Sequence, residues 1–556
     1  MMRRVLPLLM TSLLLVPDVS IARDLTEGAK KPAGAPAATL QIDPRLIAEA
    51  AEVWALIAAP KNPVWPGWDA SSTPLLFYLP GQQDVLINHP RPPAGFVDYG
   101  GPVRFPGGRI MVRGKPTILD WDGQNTSRDI EGIPTLVVAD ALSNLRSQLR
   151  SLLEDPRPAA EKVKGLGFSQ MATDPYDQLA LIAHEAFHVF QERVAPAKQA
   201  NEMLLLHYPV LSVENNVGFA QEGRAFAAAL RSDTDAAFRA AVVQWVALRR
   251  LRRSALPPEA IEYENGIEFG EGLAKYVEYR LFESLEGRTP RPEMWWVQGF
   301  RGYGDLASRR SELVDSMLRQ MRGEVSVNND PYGTAPLRMR LYYSGMAIGA
   351  LLDRLSASWK DRILQPEVSL TDLVEEAVRV TPDEARAALE DARRAEGTDA
   401  LVAAKRRLAQ EGRARIDTMV GQIEQGAGTG VIVDYGALES SRVAMAFTPF
   451  GITAVDEDRT IFAQVPIQAR FADGSEIVQT EPLPLLQDKK RKLIRFRLSR
   501  ELSPEEVATA TGGEGLVSQG IRKLKLELPG AVVTSEHASV QVEGKDLRVV
   551  LKAPRN

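Results

Sequence analysis

Apolar residues recur along this chain with two different periods, and the switch between them organises the reading. Alternating or short continuous apolar runs at Pro74 to Leu79, Gln83 to Ile87, Arg109 to Val112, Thr117 to Trp121 and Gly132 to Val138 predict the strands of a mixed sheet. Pro134, near the start of the last run, suits an edge strand, because proline has no N–H to give to a ladder. A helix capped by Asp43-Pro44 and running to Ala59 precedes this sheet. From Ala141 to about Gln425 the period is helical, ending in a heavily charged stretch, Thr381 to Gly421, expected as exposed helices packed on one face. After Gly426-Ala427-Gly428-Thr429-Gly430 the pattern returns to short strand-like runs: Val431 to Val433, Val443 to Phe447, Ile461 to Val465, Leu493 to Phe496, Leu524 to Leu528 and Leu547 to Leu551. These predict a small antiparallel β domain, a sandwich.

The expected class is therefore α+β. The chain divides into residues 43–160 (sheet and first helix), 161–425 (helical part) and 431–556 (β domain). Ahead of them, Met1-Met2-Arg3-Arg4, the apolar run Val5 to Val16 and Ser20-Ile21-Ala22 have the form of a signal peptide, residues 1–22, cleaved near Ala22. Residues 23–42 read as a flexible lead-in rich in Ala, Pro, Gly and Lys. A secreted or periplasmic protein is expected.

One helical stretch carries the chemistry. Tyr176 to Arg193, introduced by Thr173-Asp174-Pro175, contains His184-Glu185-Ala186-Phe187-His188, an H-E-x-x-H motif in a chain with only five histidines. Residues four apart on a helix project from one face, so two imidazoles can converge on one zinc ion. Glu185 beside a zinc-bound water is then the general base of metal-assisted peptide hydrolysis. Leu179, Ile182, Ala183, Ala186, Phe187, Val189 and Phe190 give this helix a broad apolar surface. Burying two imidazoles there without a partner is costly, and a metal ion removes the cost.

A tetrahedral zinc with one water needs a third protein ligand. Glu271-Gly272-Leu273-Ala274-Lys275-Tyr276-Val277-Glu278 lies in a second helical stretch, opened by Pro257-Pro258 and closed by Gly287. It resembles the Glu-Gly-x-Ala-x-Tyr-x-Glu segment of the gluzincins, zinc peptidases related to thermolysin and the zinc aminopeptidases. The resemblance implies a zincin-like metallopeptidase fold, one zinc ion per chain and Glu271 as third ligand. The spacer after His188 is longer than in the best-known members, so an inserted helical hairpin, roughly Asn201 to Ala255, is implied. Glu214, Glu222 and Glu268 remain alternative ligands.

Further along, Arg338-Met339-Arg340-Leu341-Tyr342-Tyr343-Ser344-Gly345 is similar to the Tyr-x-x-Gly segment of the zinc aminopeptidases. That likeness implies Tyr342 as hydrogen-bond donor to the oxyanion, with Tyr343 the close rival. Arg338 or Arg340 could hold a substrate carboxylate. No Gly-x-Met-x-Asn segment lies between Gly132 and His184, so the expectation stops at a peptide or protein substrate. No H-x-x-G-x-x-H follows the motif, which disfavours the metzincin branch.

Composition adds limits. The chain has no cysteine, hence no disulfide and no lipid-modified cysteine. A net charge of -5 on 25% charged residues argues against a nucleic-acid partner. No run reaches the length of a membrane span. The basic clusters Arg249-Arg250 with Arg252-Arg253, and Lys489 to Lys492, read as solvated helix and strand edges. The rival from another class is a zincin-like scaffold that binds envelope partners through its β domain, against which the retained Glu185 speaks. Hydrolysis of an ester or small amide at the same metal is a weaker alternative, and the oligomeric state stays open.

Overall fold

The computed structural model describes residues 39–59, 61–154, 174–325, 333–447, 451–463, 465–510 and 524–552. The expected signal peptide and most of the lead-in lie outside them. The described chain opens with α1 (Pro44–Ile57), whose first turn is fixed by Asp43 Oδ1 accepting from Arg45 N at 2.9 Å. A six-stranded sheet follows: β1 (Leu75–Leu79), β2 (Gln83–Ile87), β3 (Val97–Asp98), β4 (Ile110–Arg113), β5 (Thr126–Ile130) and β6 (Ile133–Ala139). Its order is β3-β4-β2-β1-β6-β5, antiparallel except for the β1–β6 pair.

Strand alternation explains why β1 is apolar throughout. Leu75, Phe77 and Leu79 face the main core with α1, whereas Leu76 and Tyr78 join Leu86, Val137 and Leu119 in a second cluster on the opposite face. Here the expected strand Thr117 to Trp121 is corrected. That segment is irregular and covers the second face with Leu119, held by Ile118 N donating to Asp84 Oδ2 at 2.9 Å and Gly81 N to Thr117 Oγ1 at 2.9 Å. Its apolar character is that of a cover. The edge strand on this side is instead the polar β5, whose Thr-Ser-Arg-Asp sequence carries no alternating signal. Pro134 accordingly sits in an inner strand. It is tolerated because β6 begins to pair with β1 only at Leu136, so no ladder on that side needs its missing N–H.

Helices α2 (Ala141–Glu154), α3 (Pro175–Val194), α4 (Val213–Leu230), α5 (Asp235–Arg253), α6 (Pro258–Ile267), α7 (Leu273–Leu285), α8 (Ala307–Met321), α9 (Thr334–Leu355), α10 (Trp359–Arg362), α11 (Leu370–Val378), α12 (Pro382–Arg394) and α13 (Thr398–Gln425) follow. Helix α3 lies against α1 and the β5–β6 side of the sheet, and α7 packs on α3 and α9. The spacer forms a hairpin of α4 and α5, capped by Ser212 and Thr234. At its root the expectation of solvated arginines fails. Arg249 and Arg252 are buried among Glu222, Glu264 and Glu268, each held by charge-assisted hydrogen bonds. Arg250 is exposed and pairs with Glu375, and Arg253 is partly buried against Glu264. No described helix is long and apolar enough to cross a membrane.

The last part holds β7 (Gly430–Asp434), β8 (Val443–Ala446), β9 (Ile452–Ala454), β10 (Arg459–Phe462), β11 (Gln468–Phe471), β12 (Glu476–Gln479), β13 (Leu485–Asp488), β14 (Leu493–Arg497), α14 (Pro504–Ala510), β15 (Leu524–Leu528), β16 (Ala531–Ser535), β17 (Ala538–Glu543) and β18 (Asp546–Leu551). They form sheets of order β17-β18-β7-β14-β13-β10-β9 and β15-β16-β12-β11-β8. The expectation of an all-antiparallel domain needs one correction, since β18 runs parallel to β7. These two strands are joined by most of the domain and not by a hairpin, so no tight turn dictates their direction. Helix α13 packs on the seven-stranded sheet through Ile416 and Ile423 against Ile461 and Leu486. Thr334 Oγ1, at the start of α9, donates to Ile452 O of β9 at 3.2 Å and ties this part to the helices. The chain is thus of mixed helix and strand architecture, with the helical layer between the two sheet regions.

Candidate metal centre

Helix α3 starts on Asp174, whose Oδ1 accepts from Tyr176 N at 2.8 Å. His184 and His188 stand one turn apart on one face, their ring centroids 4.9 Å apart. His184 is buried and His188 half-buried. Each ring is oriented by its outer nitrogen. Glu278 Oε1 takes the Nδ1 proton of His184 at 2.7 Å, and Lys275 Nζ holds the other Glu278 oxygen at 2.6 Å. On His188 the partner is Gln191, whose orientation follows from its other bond. Phe269 O can only accept, so Gln191 turns its NH2 to that carbonyl at 2.7 Å and its Oε1 to His188 Nδ1 at 3.1 Å. With both Nδ1 atoms engaged as donors, the Nε2 lone pairs are left to face inward, the tautomer that metal-bound histidines need.

Both point at Glu271. Between α6 and α7 the helix widens into a π turn, Glu268–Gly272. The extra residue in that turn shifts the facing of Glu271, as such bulges do at functional sites. Glu271 Oε2 lies 3.4 Å from His184 Nε2 and 3.4 Å from His188 Nε2. Ligands about 2.0–2.1 Å from a tetrahedral zinc are separated by about 3.3–3.4 Å, so both distances from Glu271 match edges of a coordination tetrahedron. Among the described residues this trio is the one group of His and acidic side chains with donor atoms close enough to share a metal ion. The other oxygen, Oε1, accepts from Arg338 Nη2 at 2.7 Å.

The glycines around Glu271 serve a close crossing with α9. A side chain on Gly272 would strike the backbone of Gly345 at 2.6 Å, and one on Gly345 would strike Glu268 O at 2.4 Å. The close crossing is therefore between the π turn and α9, and it brings Arg338 and Tyr342 to the site. Gly270 meets only the Gln199 side chain, at 3.9 Å. The rival ligands lie elsewhere. Glu222 and Glu268 are locked in the arginine network behind the π turn, and Glu214 is exposed in the first turn of α4. His207 is exposed, and His89 is buried against Ile130 O at 3.0 Å.

Glu185 is half-buried beside the trio, and no hydrogen bond or ion pair ties its carboxylate to another described residue. Burial raises its pKa, opposed by the two histidines and reinforced by Glu271 and Glu278. Of the tyrosines, Tyr342 faces the site, its ring stacked on His184 at 6.4 Å between centroids. Its hydroxyl accepts from Arg338 Nε at 3.2 Å. Tyr343 instead lies under Lys275, whose Nζ is 5.3 Å from its ring centroid. Arg338 is spoken for by Glu271, Glu202 and Tyr342, and Arg340 is buried against Asn216 and Gln320. Neither arginine is thus a free carboxylate clamp.

Burial disfavours a charged His184, yet Glu271 and Glu278 overcome it and push its pKa up to about 10. A site with that many carboxylates calls for a cation, and the donor set fits a zinc ion. A cavity of about 210 Å³ opens beside it, lined by His188, Glu271, Arg338, Glu192 and Ser127 among others. Ser127 of β5 donates to Glu192 Oε1 of α3 at 2.7 Å, so the edge strand runs along this opening. Sequence reasoning assigned no role to Glu278, Gln191 or Glu202. Glu278 was legible as two turns after Glu271, and Gln191 as one turn after His188; Glu202 leaves no such trace. Comparison with protein-family models, with curated proteins and with solved structures finds no match to this chain.

Proposed function

We propose that this chain is a zinc-dependent metallopeptidase of gluzincin type, with His184, His188 and Glu271 holding one zinc ion. The reading rests on one observation: Glu271 Oε2 stands 3.4 Å from the inward nitrogen of both histidines of an H-E-x-x-H helix. When bound, zinc would polarise the scissile carbonyl and lower the pKa of its water to about 7. Glu185 takes the proton from the attacking water and passes it to the leaving amine. Its untied carboxylate and raised pKa suit both transfers. The Tyr342 hydroxyl, steered by Arg338, donates to the carbonyl oxygen as that atom gains negative charge. The free edge of β5 offers hydrogen bonds to an extended peptide backbone. The reading of residues 1–22 as a signal peptide supports an activity outside the cytoplasm.

Purified mature protein should carry about one zinc per chain. Glu185→Gln should keep the zinc and lose about 10²- to 10⁴-fold in hydrolysis of a fluorogenic peptide mixture. Zinc-free protein from a zinc-replete preparation, or full activity in Glu185→Gln, contradicts the proposal.

A further inference from the structure

A second opening differs from this chemistry in composition and in partners. A cavity of about 1070 Å³ lies between α1, the end of β6, the start of α2 and α3, and residues 297–301. Leu40, Ile42, Leu46, Leu79, Leu145 and Tyr176 give it apolar walls. Most of its charges are already cancelled. Asp43 binds Arg45 at 2.6 Å, Asp174 binds Arg309 at 2.6 Å, and Asp140 accepts from the backbone N–H groups of Asp43 and Leu142 at 2.9 Å each. Arg301 stands exposed at the rim.

Two polar groups remain. Glu49, one α-helical turn beyond Arg45, is only 6% exposed, and its carboxylate has no hydrogen-bond or ion-pair partner among the described residues. Gln178 is 5% exposed, and its Nε2 has no acceptor. Burial, reinforced by Asp43 and opposed by Arg45, pushes the Glu49 carboxyl up to about 8. An unpaired buried carboxylate of this kind must take up a proton or a cation. The lip of the cavity also leaves a large apolar side chain, Leu142, in water.

We propose that this cavity binds an organic ammonium ion carried on an apolar body. Glu49 receives the ammonium, and the leucine walls with Tyr176 take the apolar part. A bare divalent cation does not fit, since it needs several oxygen ligands and, among the described residues, one unpaired carboxylate lines the cavity. The volume is at the upper end of ordinary small-molecule sites, about 300–1,000 Å³. The inference is independent of the metallopeptidase reading.

The test uses the full mature chain and fluorescence titration with 5-(dansylamino)pentylamine and its N-acetyl analogue, which share the apolar body and differ in the charge. The amine should bind at least tenfold more tightly than the amide. Glu49→Gln should bring both to the weaker value while zinc content is kept and the melting temperature is not lowered. Leu145→Trp, which fills the cavity and leaves Glu49 intact, should weaken both probes. Displacement by a blocked lysine peptide identifies a polypeptide side chain as the source of the ammonium, and failure to displace identifies a small free amine. Equal binding of amine and amide by the parent chain, or discrimination that survives Glu49→Gln, overturns the inference.

Discussion

Two clusters of buried charge lie on either side of the π turn, and they differ in one respect. Behind it, Arg249, Arg252 and Arg253 face Glu222, Glu264 and Glu268, three cations against three anions, each hydrogen-bonded. In front of it, Glu185, Glu202, Glu271 and Glu278 meet Arg338 and Lys275 as permanent cations, so among these described residues carboxylates outnumber cations around His184 and His188. A closed network balances itself and needs nothing more. An open one leaves carboxylate and imidazole donors converging on one point, which supports the proposed zinc site.

Breaking the closed cluster should give the largest effect. Arg249→Met leaves Glu222 and Glu268 short of a partner in the interior and should cost about 3–5 kcal/mol of folding stability, read by denaturant unfolding. A loss below about 1 kcal/mol, the level of a surface pair, would contradict the account of a closed network. The open cluster should respond in metal affinity instead. Glu278→Gln removes the carboxylate that orients His184, and Gln191→Leu removes both the acceptor of His188 and the donor to Phe269 O. Each should weaken zinc about 10- to 100-fold in competition with a chelator. Unfolding of the zinc-free chain should change less in Glu278→Gln than in Arg249→Met; the reverse order would erase the distinction between the clusters.

Glu49 supplies a third case, a buried carboxylate with neither network nor metal. Its pKa in the fold, about 8, lies above the unfolded value near 4.5. Its share of stability is therefore complete below about pH 4.5 and is lost as pH rises through 8. Glu49→Gln removes that slope. Its melting temperature should exceed the parent's at pH 9, and the gap should close towards pH 5. A constant gap would mean that Glu49 is not held neutral by burial.

The same contrast explains what was legible in the sequence. His184, Glu185 and His188 form a local pattern whose spacing is itself the geometry, and Glu271 came with a motif on one helix. The closed network was invisible because Glu222, Arg249 and Glu264 come together only through the α4–α5 hairpin and its crossing with α6. A run of four arginines in five residues reads as surface when its partners are unknown. Thr117 to Trp121 misled for a related reason, since a segment covering a sheet and a strand inside one are equally apolar. The polar β5 was missed because an edge strand open to water on its outer side has no need of alternation. The parallel placement of β18 beside β7 is likewise set by contacts across the whole domain, which no local pattern records.

The central claim is that His184, His188 and Glu271 share one zinc ion, and anomalous diffraction at the zinc edge from crystals of the zinc-loaded chain tests it most directly. The account predicts a single anomalous peak about 2.0–2.2 Å from both Nε2 atoms and from Glu271 Oε2. No peak between the two histidines, or a peak there with Glu271 turned away and another carboxylate in its place, would contradict it.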